Sequence, residues 1–177
     1  MTRAVGSAFA DAMLASLSTQ HIEAMVRLHR QIHEKPGSGL PSLVDRLATN
    51  IKRASELSQE KRAALLRNLR TLPTDGQLCH GDFHPWNVLG TPSDALVVDW
   101  LDASSGPPAA DVCRSFVLIH HAAPQLATKY VHAYSRQSGL PADEVWRWKP
   151  VVAAARLAEG VPDEVESLLR MADAVQK

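Results

Sequence analysis

Apolar residues recur at helical spacing along the first third of the chain. From Ser18 onward, Ile22, Met25, Val26, His29, Ile32 and His33 fall on one helical face, with Ser18 or Thr19 placed to cap it and Lys35-Pro36-Gly37 to stop it. A second helix is expected from Pro41 to about Leu57. A third starts at Ser58, carries Glu60 in its first turn, turns Leu65, Leu66 and Leu69 inward and ends at Pro73. Residues 1–75 therefore read as helical.

The period changes between Gly76 and Asp99. Gln77-Leu78-Cys79-His80, Asn87-Val88-Leu89 and Ala95-Leu96-Val97-Val98-Asp99 are short apolar runs, separated by Gly81, Pro85 and the turn formers Thr91-Pro92-Ser93-Asp94. Residues 76–100 read as a loop with short strands. Beyond a Gly/Pro/Ser-rich loop from Ala103 to Pro108 the helical period returns and holds through 101–177. Helices are expected at about Ala110 to His121, Pro124 to Ser138, Pro141 to Trp148, Lys149 to Glu159 and Pro162 to Val175. Pro141, Pro150 and Pro162 suit first turns, where a missing N–H costs nothing. The expected fold is mainly α with a small β-hairpin insert (α+β), with residues 1–177 forming one domain.

Composition narrows the function. The chain has 177 residues, 45% of them hydrophobic, enough for one domain with its own core. Nineteen basic side chains balance nineteen acidic ones, so no net field gathers nucleic acid or anionic membrane. Cys79 and Cys113 are too few for a disulfide scaffold, form no CxxC pair, and read as core thiols. Met1 to Ser16 lacks the layout of a signal peptide, and no stretch approaches the roughly 20 apolar residues of a membrane helix. The expectation is a soluble cytoplasmic protein without a nucleic-acid or membrane partner.

The chemistry concentrates in His80-Gly81-Asp82-Phe83-His84-Pro85-Trp86-Asn87. Here an Asp is followed five positions later by an Asn, the spacing of a kinase catalytic loop. A carboxylate there can stand beside an acceptor hydroxyl while a neutral amide oxygen holds a magnesium ion on the nucleotide phosphates. Magnesium also needs a hard anionic ligand, and Asp99 offers one at the end of a buried-looking strand, Leu96-Val97-Val98. A hairpin through Thr91 to Asp94 would return Asp99 to Asn87. Plainer readings explain less. Turn formers alone leave Asp99 and Asp111 unexplained. A metal-hydrolase site built on alternating His80, Asp82 and His84 is opposed by Gly81 and Pro85, and gives Asn87 no task. His29 and His33 lie one helical turn apart, but with no third ligand in view they read as packed, hydrogen-bonded residues at the core edge. Trp146 and Trp148 can line an acceptor pocket or simply close a hydrophobic corner, and the corner is the favoured reading.

The run from Leu78 through Arg114, with HGDFHPWNVL, then VVDW, then a Gly-Pro-rich loop and PAADVCR, resembles the aminoglycoside phosphotransferase and choline kinase family. The segment Leu28-His29-Arg30-Gln31-Ile32-His33 is similar to that family's stretch between the lobes and the catalytic loop. The resemblance implies a protein-kinase-like C-terminal lobe that transfers a phosphoryl group from ATP or GTP, with Mg2+, to a hydroxyl of a small molecule. It implies that Asp82 is the catalytic base or acceptor-orienting carboxylate, that Asn87 and Asp99 hold magnesium, and that His80 and the buried Asp111 support the loop. His84 can touch the loop backbone or the acceptor. Asp102, with Asp143, Glu144 and Glu159, can attract a cationic acceptor, although solvated helix ends explain these acids equally well.

The front of the chain departs from the family. Residues before Asp82 are spent on helices; Gly37-Ser38-Gly39 reads as a helix-to-helix linker, and no lysine sits in a V-A-I-K-like strand. The N-terminal nucleotide lobe is expected to be absent. The alternative to an active kinase is therefore a non-catalytic remnant, or half of a split kinase whose other lobe is a separate chain, with self-association through an exposed apolar patch.

Overall fold

The computed structural model describes residues 6–173. Four helices come first: α1 (Phe9–Ser16), α2 (Thr19–His33), α3 (Leu43–Arg53) and α4 (Gln59–Leu69). Next come β1 (Gln77–Cys79), a 3-10 turn at Pro85–Asn87, β2 (Val88–Thr91), β3 (Asp94–Val97) and β4 (Ser104–Gly106). The remainder is α5 (Pro108–His120), α6 (Pro124–Ser138), α7 (Ala142–Trp146), α8 (Lys149–Leu157), a 3-10 turn at Pro162–Glu164 and α9 (Val165–Asp173). The expected extension of the last helix to Val175 falls outside the described residues.

The apolar spacing of α2 does what it predicts: Ile22, Met25, Val26, His29, Ile32 and His33 are all buried, against α6, β1 and α1. Ser42 and Ser58 start α3 and α4 by accepting from the backbone N–H of Asp45 and Lys61, at 3.2 and 3.1 Å. Hence α3 begins after Pro41 and Ser42. It stops at Arg53, because Ala54 turns extended, rather than running on to Leu57. The core gathers around α8, which packs against α3, α4, α5 and α9 and buries Val151, Val152, Ala153, Ala154, Ala155 and Leu157. Trp148, just ahead of it, is wholly buried, and Trp146 packs edge-on against Phe116 at 4.9 Å.

Two antiparallel ribbons carry the site. β2 and β3 form the expected hairpin, Val88 opposite Val97 and Thr91 opposite Asp94. The second ribbon differs from the loop expected at Ala103 to Pro108. Ser104-Ser105-Gly106 pairs as β4 with β1, Cys79 opposite Ser104 and Gln77 opposite Gly106. Those residues have little strand propensity of their own, and neighbours hold them. Ser105 N–H donates to the Pro41 carbonyl at 2.8 Å, and a side chain at Gly106 would meet Leu43 Cβ at 2.6 Å. Gly37 is more than a linker for the same reason: its N–H donates to Gly76 O at 2.8 Å, and a Cβ there would meet Gln77 O at 2.7 Å. Among the described residues, no helix is long and apolar enough to cross a membrane.

Candidate active site

β1 delivers the chain into the loop His80–Asn87, and α5 holds that loop from behind. Asp111, in the first turn of α5 and fully buried, accepts from four N–H groups. Its Oδ2 takes His80 N at 2.7 Å, His29 Nε2 at 2.9 Å and His33 Nε2 at 3.2 Å, and its Oδ1 takes Gly81 N at 2.9 Å. Burial alone would raise this carboxyl. The adjacent His29, through its field and hydrogen bond, and then His33 outweigh it, so Asp111 lies well below the usual carboxylate range.

His29 and His33 are packed and hydrogen-bonded as expected, His29 wholly inside the core and His33 at its margin, and Asp111 is the third group that spacing could not reveal. Their Nδ1 atoms face the hydroxyls of Tyr130 and Tyr134, one turn apart on α6 as the histidines are on α2. Burial, then the neighbouring His33, pushes His29 down to about 3. It is therefore neutral at pH 7, donating from Nε2 to Asp111 and accepting from Tyr130 at Nδ1. The three potential metal-ligand atoms already satisfy one another through these bonds.

His80 is buried and bridges two parts of the site. Its Nε2–H donates to the Val98 carbonyl at 3.1 Å and its Nδ1 accepts from Asp82 N at 3.2 Å, which ties the loop to the end of β3. Burial holds its imidazole below the ordinary value, so the neutral form with that tautomer is favoured.

Asp82 and Asn87 meet directly. Asn87 Nδ2 donates to Asp82 Oδ2 and to the Asp82 backbone carbonyl, both at 2.9 Å. His84 Nε2 approaches the same Oδ2 at 3.4 Å, and the His84 ring packs edge-on against Trp86. Burial works to raise the Asp82 carboxyl, but the bond and charge of His84, the Arg114 guanidinium and the Asn87 amide prevail, and it stays below its usual value. It is an anion at neutral pH. Oδ1 takes no hydrogen bond from the described residues.

The hairpin brings Asp99 back as expected: Val98 N–H donates to the Asn87 carbonyl at 3.0 Å, leaving Asp99 one residue beyond. The strand before it is not buried. β3 alternates exposed and half-buried positions, with Leu96 at 54% exposure, because a two-stranded ribbon covers little of itself. Asp99 is exposed and adopts φ +63°, a left-handed conformation that a non-glycine residue holds at a cost. Asp102 faces elsewhere: its carboxylate pairs with Arg46 at 3.3 Å, and its carbonyl accepts from the same guanidinium at 2.6 Å.

Two arginines to which the sequence assigned no role complete the frame. Arg114, three positions after Asp111 on α5, donates from Nε to Gly81 O at 3.1 Å and pairs with Glu159 at 2.7 Å. Arg46, on α3, packs against the other side of Gly81. Only an Arg on the correct face of a known α5 would have suggested the first, and nothing local suggested the second. Cys79 and Cys113 are buried thiols pushed up by burial, without nucleophilic character.

The sequence model of the phosphotransferase enzyme family matches residues 1–148. The chain belongs to that family. Its fold is shared with solved structures of low identity. One is choline kinase LicA from Streptococcus pneumoniae, at 16% identity and TM-score 0.63, covering 95% of this chain and 65% of that one. Another is an aminoglycoside-3'-phosphotransferase of type VIII, at 19% identity and TM-score 0.60, covering 89% and 66%. A thermostable mutant of aminoglycoside phosphotransferase APH(4)-Ia, in ternary complex with AMP-PNP and hygromycin B, aligns at 15% identity and TM-score 0.68, covering 98% and 71%. The chain thus spans about two thirds of the length of these phosphotransferases. No curated protein matches the sequence.

Proposed function

We propose that this chain carries the catalytic loop of a nucleotide-dependent phosphotransferase that moves a phosphoryl group to a hydroxyl of a small molecule, and that it corresponds to the C-terminal lobe of such an enzyme. The observation that carries this reading is the Asp82–Asn87 contact at 2.9 Å, on a loop whose backbone is fixed by Asp111. Asp82 Oδ2 is engaged by Asn87 and His84, which leaves Oδ1 to accept from the acceptor hydroxyl. A carboxylate held below its usual pKa is a weak base, so Asp82 aligns the hydroxyl and takes its proton late. His80, Asp111 and Arg114 keep the loop in place and do not touch the reacting atoms.

Hard oxygen donors suit magnesium, and two are on hand. Asn87 spends its N–H on Asp82, so its amide oxygen is the atom left for a cation, and the exposed Asp99 carboxylate takes no hydrogen bond from the described residues. Bound with ATP or GTP, the ion would neutralise phosphate charge. Nucleotides in the related structures, AMP and AMP-PNP, support a nucleotide donor. Phosphoryl transfer is expected to be lost in Asp82→Ala; full activity in that variant would sink the proposal.

A second reading, a non-catalytic remnant or half of a split kinase, draws support from one observation. Trp86, Leu96, Trp100 and Leu101 are 40%, 54%, 41% and 94% exposed around the loop, an apolar set of the kind that packs against another surface. ATP turnover by the isolated chain, abolished in Asp99→Ala, would overturn it, and native mass spectrometry showing only monomer would count against self-association.

A further inference from the structure

A cavity of about 220 Å³ opens between α3, α5 and α8, beside Gly81 of the loop that carries Asp82. Its polar lining is Arg46, Asn50, Asp102, Arg114 and Glu159. Three of these crowd Gly81, the residue before Asp82: Arg114 through a hydrogen bond, and Asp102 and Arg46 so closely that a Cβ at Gly81 would lie 2.4 Å from the Asp102 carbonyl oxygen and 2.6 Å from Arg46 Nη2.

We propose that this cavity takes the phosphoryl acceptor, and that the acceptor is a compact, uncharged polyhydroxyl compound, a single sugar or cyclitol ring. This rests on the phosphotransferase reading above. Charge argues first. Each carboxylate in the lining is already matched, Asp102 by Arg46 at 3.3 Å and Glu159 by Arg114 at 2.7 Å, with Arg156 also on Glu159. A polycationic acceptor would find no unneutralised acid and would face guanidinium groups. An anionic acceptor would have to displace Asp102 or Glu159 from its arginine.

Size argues next. Pockets for drug-sized ligands run from about 300 to 1,000 Å³, so this one suits a single ring better than a chain of them. Hydrogen bonding supplies the positive case. The Asn50 carboxamide, Arg46 Nε and Arg114 Nη2 make no hydrogen bond among the described residues, while the two carboxylates retain lone pairs. The lining thus offers both donors and acceptors, which is what hydroxyls require, and Leu47 and Val152 offer an apolar wall to the C–H face of a ring.

The test is saturation-transfer NMR on the full chain with three probes: myo-inositol, the aminoglycoside neamine and glycerate. Inositol is expected to bind, and to weaken about fivefold for each hydrogen bond lost in Asn50→Leu or Arg46→Gln. Asn50 is half-exposed on α3, so its replacement leaves the core untouched, and circular dichroism checks both variants. Neamine or glycerate binding as tightly as inositol overturns the proposal, as does inositol binding that is absent or indifferent to both variants. Titration of the same sample with Mg-ATP separates the two failures: ATP binding without inositol overturns the acceptor class alone, and inositol binding without ATP overturns the phosphotransferase reading beneath it.

Discussion

Replacing Asp111 by Asn converts one oxygen into an NH2 group at the point where four N–H donors converge. An amide has a single oxygen, so one half of the new side chain must confront an N–H. If the NH2 takes the place of Oδ1, Gly81 N–H is orphaned. If it takes the place of Oδ2, the imidazoles can shift tautomer and accept, but His80 N–H cannot. Either arrangement buries one unsatisfied backbone donor, at about 1–3 kcal/mol. The surviving bonds lose their charge assistance, which adds roughly 2 kcal/mol. The sum, about 3–5 kcal/mol, agrees with the usual cost of breaking a buried pair and is a large share of a typical stability of about 5–15 kcal/mol. Urea denaturation at neutral pH measures it. Asp111 is depressed in the fold, so its stabilisation is fully present above the unfolded carboxyl's 3.8 and is lost only as pH falls through the lower folded value. The gap between parent and variant should therefore be constant from neutral pH down to mild acid. A variant within about 1 kcal/mol of the parent would refute the claim that these oxygens hold the loop.

Three more expectations follow from the same geometry. His29 is neutral in the fold, at about 3 against an ordinary 6.5, so the unfolded chain gains its proton first on acidification. Stability is then full above pH 6.5 and falls by about 1.4 kcal/mol per pH unit as pH drops towards 3; His29→Gln should flatten that slope in urea titrations, and an unchanged slope would contradict the assignment. Gly81→Ala combines a φ of +80° with a Cβ 2.4 Å from the Asp102 carbonyl. It should lower stability by about 2 kcal/mol or more and displace Asp82, visible as a reduced thermal midpoint with loss of phosphoryl transfer. Asp99→Gly should relieve the left-handed backbone and raise stability by about 1 kcal/mol while Mg-ATP binding disappears, and a variant less stable than the parent would speak against strain at this position.

What the sequence discloses is what neighbouring residues decide. Helix α6 begins and ends where its proline, apolar period and Ser138-Gly139 place it, because period and caps act within a few residues. The β2–β3 hairpin is equally local, with turn formers between two short apolar runs. β4 is the opposite case: Ser104-Ser105-Gly106 becomes a strand because β1 and Pro41 offer it partners. His29 and His33 could be seen to share a face, but the carboxylate they share lies 82 and 78 positions away. Arg46 lies in no motif, and Arg114, though it ends PAADVCR, gives no sign of its task, which depends on where Gly81 passes between two helices.

That passage explains why the loop needs glycine at position 81. Asp111 and Arg114 stand one helical turn apart on α5 and grip opposite ends of the same residue, the carboxylate taking the Gly81 N–H and the guanidinium taking the Gly81 carbonyl. A residue clamped at both its N–H and its C=O has little freedom left in φ and ψ, and the setting that satisfies both clamps is φ +80°. On the side where a Cβ would emerge, Arg46 and Asp102 already close the space. Asp82 thus inherits its position from α5 behind it, while Asn87 and His84 fix its carboxylate from the front. Three charged side chains on two helices hold a stretch of backbone still and so fix where one half-buried carboxylate stands.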